Sequence, residues 1–291
     1  MASVTVERAL SADLQAQIRG LAGRFEAQYG APQLNDQTLS RLDLDSLEHL
    51  LIRGAAGSLV GYGQLELLPA AAEAEAAASA DVLDVLLNSI ERLASKRDLL
   101  IWAHGERSPL RSALEDRGYH RARVLWQLRR PLSDVPAAEP LPPDVTLRPF
   151  VPATDEEAWL AVNAAAFADH AEQGRWTLRD VQAREVEDWF DPAGFLLAER
   201  NGELLGFHWT KVHPDGLGEV YILGVSPRAQ GMRLGRALLD AGLAYLAERG
   251  CQTVLLYVDD DNAAAMRLYE RAGFHRHDVD IQYARGPSSH T

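Results

Sequence analysis

The 291-residue chain carries 42 acidic residues against 29 Lys and Arg, a formal charge of −13, on an otherwise ordinary globular composition. That acidity argues against general nucleic-acid affinity, which needs a basic face. The single cysteine, Cys251, excludes an internal disulfide and a Cys-rich zinc site.

Nine scattered histidines without an H-E-x-x-H spacing give no reason to expect a metal. The opening "MASVTVERALSADLQ" has no basic stretch followed by an apolar core, and no run reaches membrane-spanning length. A cytoplasmic protein is therefore expected, with no membrane partner and enough chain for two domains.

In chain order, the first half offers "GSLVGYGQLEL" from Gly57, then the alanine-rich "AAAEAEAAASADVLDVLL", which reads as a loop running into a helix, then "RGYHRARVLWQLRR" from Arg117. Pro131 to Pro149 follows with six prolines and neither helical nor strand period, the mark of an extended linker. Beyond it the pattern returns. "GELLGFHWTKV" from Gly202 and "AGFHRHDVDIQYAR" from Ala272 match the earlier anchors in kind and order. A duplicated domain is the economical reading, with a first domain at 1–132, a linker at 133–144 and a second domain at 145–291.

The repeat fails at one place. Gly61 to Gly118 spans 57 residues, whereas Gly206 to Gly273 spans 67. The shortfall falls where the second half has a glycine-arginine turn, and the alignment sets Leu114 opposite Tyr269. The first half reads as a copy that has lost its chemistry.

In the second half, 195–200 and 204–213 are expected strands around the turn Asn201-Gly202, and 218–225 is a third. Leu234, Ala237, Leu238, Ala241 and Tyr245 recur at helical spacing, and Gly250 ends that helix. A buried strand at 253–259 precedes a second helix, capped by Asn262 and stopped by Gly273. "HDVDIQYAR" alternates and reads as an edge strand. The succession gives an α/β fold with a mixed central sheet.

The turn between Val225 and Leu234 opens a helix whose first N–H groups and positive dipole end suit an anion. Gly231 and Gly235 let a bulky group approach, and Arg228, Arg233 and Arg236 add forked donors. Taken alone, this segment fits a pyrophosphate cradle or a capped surface helix equally well. The second helix decides between them: "DDDNAAAMRLYERAGF" fits N-x-x-A-x-x-x-Y-x-x-x-G-F, and Asn262 and Tyr269 stand seven apart on one side of two turns.

With both motifs in place the chain resembles the GCN5-related N-acetyltransferases, through Gln230 and Gly235 at the helix start and Asn262, Tyr269 and Gly273-Phe274 beyond it. The resemblance implies two tandem acetyltransferase domains, each a mixed sheet flanked by helices, with acetyl-CoA as co-substrate. It implies that Leu223, Gly224 and Val225 meet the thioester. Gln230, Gly231, Met232, Arg233, Leu234, Gly235 and Arg236 would hold the pyrophosphate, and Asn262, Ala263, Ala264, Ala265, Met266 and Arg267 the rest of the coenzyme. Arg233 departs from the family, which usually has glycine there.

"AAFADHAEQGRWT", "GFHWTKVHPDGLGEVYILGV" and "LLYVDDDN" narrow the resemblance to tandem members that acetylate the cysteinyl amine of a glucosaminyl-inositol thiol.

Acetyl transfer needs a neutral amine and a protonated leaving thiolate, and a free α-amine with a pKa of about 7.7–8.0 must shed a proton first. Glu219, expected to share a strand face with Tyr221 and Leu223, is the candidate base, and Tyr269 the candidate acid. The resemblance implies the same pair. Taken alone, Glu219 also fits a solvated strand start and Tyr269 a core residue. The resemblance further implies that Asp36, Glu172, Lys211, Glu219 and Tyr257 contact the substrate, with Asp36 contributed by the first domain. His208 and His213 read as structural, hydrogen-bonded histidines, and Cys251 as an inert thiol.

The expected partner is a small molecule, bound by a monomer. Two other readings stay open: a tandem acetyltransferase for another small amine, and a non-catalytic acetyl-CoA-binding module.

Overall fold

The structure is a computed structural model that describes residues 3–69, 71–133, 139–168, 170 and 173–286. It divides the chain into two compact units. The first comprises Met1–Trp126 with Asp259–Asp261 and Asp278–Thr291, and the second comprises Gln127–Val258 with Asn262–His277. Of the proline-rich stretch at 133–144, residues 134–138 lie outside the described residues.

The first unit holds β1 (Val4–Glu7), α1 (Ala12–Tyr29), α2 (Asp36–Ser40), β2 (Glu48–Arg53), β3 (Leu59–Leu67), β4 (Ala71–Ala78), α3 (Ala80–Ala94), β5 (Asp98–Ala103), α4 (Pro109–Asp116) and the start of β6 (His120–Pro131). Strands β1 to β4 are antiparallel neighbours, and β4 runs parallel to β5. Ile18, Leu21 and Phe25 of α1 cover one face of the sheet, against Leu51 and Tyr62. Leu86, Leu87 and Ile90 of α3 cover the other, against Leu50, Ala74 and Ile101.

The alanine-rich segment corrects its sequence reading: 71–78 is a strand, not a loop. Alanine favours a helix in isolation, but β4 is laddered on both sides, to β3 and to β5. Tertiary pairing overrides so weak a local preference. Alternate alanines of β4 (Ala72, Ala74, Ala76 and Ala78) then enter the core beneath α3.

The second unit takes the remainder of β6, then β7 (Thr146–Pro149), α5 (Glu156–Ala166), α6 (Leu178–Glu185), β8 (Phe195–Arg200), β9 (Glu203–Val212), β10 (Gly218–Val225), α7 (Leu234–Glu248), β11 (Thr253–Asp259), α8 (Ala263–Arg271) and the start of β12 (His275–Arg285). Its ladder repeats that of the first unit: β7 to β10 are antiparallel neighbours, and β10 runs parallel to β11. The β8–β9 turn has Asn201 at φ 53° and Gly202 at φ 80°, the two left-handed residues that an Asn-Gly hairpin turn supplies. On one face Trp159 of α5 packs among Phe195, Phe207 and Trp209. On the other, Leu234 and Leu238 of α7 pack on Ala198 and Leu205.

The terminal strand departs from expectation. β12 is not an edge strand: Ile281 to Arg285 pair antiparallel with Ala103 to Leu99 of β5, and β12 lies between β5 and β6. Ile281 and Tyr283 are core residues of the first unit. Strand alternation shows which face a residue takes, but not which sheet receives it.

Candidate active site

The two units differ where the sequence repeat fails. In the first, the parallel ladder of β4 with β5 runs from Ala71 to Glu75, and Ser79 alone separates β4 from α3. In the second, β10 and β11 pair only at Gly218 with Val254 and Glu219 with Leu255, although β10 continues to Val225. A register shift between Val220 and Ile222 marks a β-bulge against β9 at Tyr221. The bulge bends β10, whose pairing with β9 resumes from Ile222 to Val225 while its pairing with β11 does not. Beyond Glu219, the side of β10 that faces away from β9 therefore has no ladder partner among the described residues. Leu223, Gly224 and Val225 lie on that stretch. Glycine is required at 224, because a Cβ there would come within 2.7 Å of the Phe207 ring.

The bulge also corrects the expected face of Glu219. Tyr221 and Ile222 both join the aromatic core under α5, whereas Leu223 and Val225 join the core under α7. The extra residue reverses the alternation, so Glu219 shares its face with Tyr221 but not with Leu223.

Residues 226–233 then form the cradle. Ser226 caps a 3₁₀ turn, Pro227–Ala229, and Gly231 and Arg233 both take left-handed backbone, at φ 80° and φ 59°. Arg233 thus keeps the conformation that glycine would adopt at the start of α7, at a cost on the order of 1 kcal/mol. The backbone N–H groups of Gly231, Arg233, Leu234 and Gly235 have no hydrogen-bond partner among the described residues.

These residues border a groove of about 630 Å³. Val225, Gln230 and Arg236 line it beside the cradle, and Ala264, Arg267, Leu268 and Arg271 of α8 line it opposite. Dipole, free amides and guanidinium groups give the groove a chemistry suited to an anion, and Glu139 is the one carboxylate among its described lining residues.

The arginines divide by role. Arg236 spends its Nε on both oxygens of buried Asp240, at 2.8 and 2.9 Å, and reaches the carbonyl of Arg271 at 3.2 Å. It braces α7 against α8. Arg228 pairs with Glu203 at 3.0 Å. Arg233, Arg267 and Arg271 have no ion-pair partner among the described residues, and all three line the groove. Sequence reasoning missed Arg271, although its four-residue spacing from Arg267 was the available signal.

Of the other expected coenzyme contacts, Met232 and Leu234 pack into the core under α7, and Met266 is buried. Ala263 and Ala265 lie in the first turn of α8, away from the groove wall.

Glu219 is buried, 8 % exposed, and its Oε2 lies 2.7 Å from Nε2 of His213. Lys211 stands opposite Glu219 in the β9–β10 register. Its Nζ lies 5.1 Å from the centre of the Trp189 ring and 5.8 Å from that of Tyr221. Arg184 of α6 donates to the Tyr221 hydroxyl at 3.0 Å. Burial pushes the Tyr221 phenol up, so it stays protonated.

Tyr269 is also buried, 7 % exposed, with its ring edge-on to Phe274. Burial pushes its phenol far above the usual tyrosine range, and its hydroxyl makes no hydrogen bond among the described residues. Asn262 caps α8 by accepting from the Ala265 amide at 3.1 Å. Tyr257 is 42 % exposed on β11 and accepts from Gln127 at 2.8 Å. Asp36 opens α2 in the first unit, after the cap Asn35. Glu172 lies outside the described residues.

Residues 163–274 match the model of the acetyltransferase (GNAT) family. A protein of Thermomonospora curvata named mycothiol acetyltransferase is 46 % identical, over 93 % of each chain. One of Stackebrandtia nassauensis with the same name is 44 % identical, over 97 % of this chain and 99 % of its own. Among solved structures, a tandem GNAT protein from the clavulanic acid biosynthesis pathway superposes with a TM-score of 0.78 at 16 % identity, over 100 % of both chains. A GCN5-related N-acetyltransferase from Sphaerobacter thermophilus gives 0.74 at 20 % identity, over 99 % of this chain and 97 % of its own.

Proposed function

The chain belongs to the mycothiol acetyltransferases of the GNAT family, and on that premise we propose that it transfers the acetyl group of acetyl-CoA to the cysteinyl amine of desacetylmycothiol (Cys-GlcN-Ins), as a cytoplasmic monomer. The observation that carries this reading is the groove of the second unit, where amides and guanidinium groups without partners among the described residues border the end of β10 beyond its β11 ladder. An anionic coenzyme fits such a groove, and its thioester would lie along Leu223 to Val225.

The chain's own groups supply the proton steps. Glu219 takes a proton from the substrate ammonium, and the neutral amine attacks the thioester carbonyl. N–H groups of the open β10 segment stabilise the oxyanion. Collapse breaks the C–S bond, Tyr269 protonates the departing thiolate, and the new amide nitrogen loses its second proton to solvent. Glu219 then releases its proton to solvent and the Tyr269 phenolate takes one back, so the net products are the acetamide, free CoA and one proton.

Lys211, Tyr257 and Glu172 serve recognition of the polyhydroxylated substrate. The Lys211 ammonium over two aromatic rings leaves a cationic and aromatic wall beside Glu219. The test is free-CoA release with Cys-GlcN-Ins against a panel of simple amines. Turnover should be fast with Cys-GlcN-Ins and slow with the panel. Equal rates across the panel would overturn the substrate, and no release from any amine would overturn the activity.

A further inference from the structure

The reading of Glu219 as base leaves one neighbour unexplained. His213 follows the last residue of β9 and begins the β9–β10 turn. Its N–H donates to the Leu217 carbonyl at 2.8 Å, and the Gly216 N–H returns to the His213 carbonyl at 2.9 Å. Asp215 accepts from the Leu217 amide at 3.1 Å, and Gly216 takes φ 82°. The turn is thus fixed by three hydrogen bonds and a left-handed glycine. His213 and Lys211 share one strand face, and Glu219 lies diagonally across from His213, within reach of an imidazole. The ring turns back along β10 to Oε2 of Glu219 at 2.7 Å, with the two side chains 24 % and 10 % exposed.

A carboxylate can swing about its last torsion and present either oxygen. Here Oε2 is held from the turn, and Oε1 has no hydrogen bond among the described residues. We propose that His213 is a positioning residue: by donating Nε2–H to Oε2 it locks the Glu219 carboxylate, so that Oε1 alone faces the substrate amine as the base. No covalent bond changes in this role. Among the described residues, Glu219 is faced by Lys211 from β9, Tyr221 from β10 with its partner Arg184 from α6, and His213 from the turn, with Tyr257 two residues beyond Leu255, the register partner of Glu219 on β11. The hydrogen bond to the carboxylate comes from His213.

The inference rests on the proposed role of Glu219, and the experiment separates the two. Three variants, Glu219→Gln, His213→Ala and His213→Gln, are compared by steady-state kinetics with Cys-GlcN-Ins, with thermal melts and acetyl-CoA affinity as controls. His213→Ala should lower kcat by roughly tenfold or more, part of the effect of a positioned base. The KM for acetyl-CoA and the melting temperature should not move. His213→Gln, whose side-chain amide can still donate to Oε2, should recover most of the lost kcat.

If Glu219→Gln is inactive while His213→Ala runs at full rate, the positioning role is overturned and the base stands. A glutamine variant as slow as the alanine one overturns the hydrogen bond as the means. Full activity of Glu219→Gln overturns the base, and the positioning role with it.

Discussion

Tyr269, the proposed acid, shows how burial can prepare a side chain for one proton transfer. A phenol held above its usual range remains protonated at neutral pH, and a hydroxyl with no partner among the described residues is open to a ligand. Tyr269→Phe keeps the ring packed on Phe274 and removes only the donor. We expect kcat to fall by about 10²–10⁴-fold, the usual range for a general acid. The KM for acetyl-CoA should hold, because the proton moves only in the transition state. Since no hydrogen bond is lost, the melting temperature should hold as well. Steady-state kinetics beside a thermal melt checks both, and an unchanged kcat would remove the acid assignment. Arg233 shows the reverse case, a side chain placed where backbone conformation favours none. Its φ of 59° keeps the glycine-type cradle, and its guanidinium borders the groove.

At the scale of elements, the cradle is only as well placed as α7, which rests on β9 through a close approach of Gly242 to His208. A Cβ on Gly242 would lie 2.1 Å from the imidazole ring. That ring is fully buried, with Nδ1 2.8 Å from the Leu238 carbonyl, and burial lowers its pKa to about 4. Gly242→Ala should therefore destabilise the protein by about 1–3 kcal/mol through overpacking. At an open helix site the same change would gain roughly 1 kcal/mol, so the sign of a urea-melt difference identifies the clash. Acetyl-CoA affinity should fall with it, because the groove is walled by the first turn of the same helix.

Most elements of the second unit were legible in the sequence: the Asn-Gly hairpin, the helical spacing after Leu234 and the Asn262 cap each follow from local chemistry. The bulge at Tyr221 was not, because an extra residue leaves no mark in a pattern of Val, Tyr, Ile and Leu that suits either face. Arg236 could have been read as a brace, since Asp240 stands four residues on. His213 could have been read as a neighbour of Glu219 from its place two residues past Lys211.

For the whole molecule, the decisive fact is that the chain's last strand serves the first unit. β12 brings Asp280 to a buried histidine, with Oδ2 3.1 Å from Nδ1 of His104, while Glu75 of β4 stands 3.1 Å from Nε2. Burial by itself would lower the His104 pKa. The Glu75 and Asp280 carboxylates outweigh it and raise the value to about 10. The unfolded chain holds a histidine near 6.5, so the folded state binds this proton more tightly. The stability that follows is complete below about pH 6.5 and declines as the pH climbs through about 10. His208 in the second unit has the opposite sign: its folded value of about 4 means stability present above pH 6.5 and lost as the pH falls.

The two limbs therefore belong to different units, and tryptophan separates them, with Trp102 in the first unit and Trp209 in the second. Urea melts followed by single-tryptophan variants should show the Trp102 signal weakening on the alkaline side and the Trp209 signal on the acid side. Asp280→Asn removes one of the two carboxylates holding the His104 proton, so it should move the alkaline decline to lower pH and leave the acid limb in place. An alkaline limb unmoved by that substitution would mean that the proton on His104 does not link the last strand to the first unit's stability.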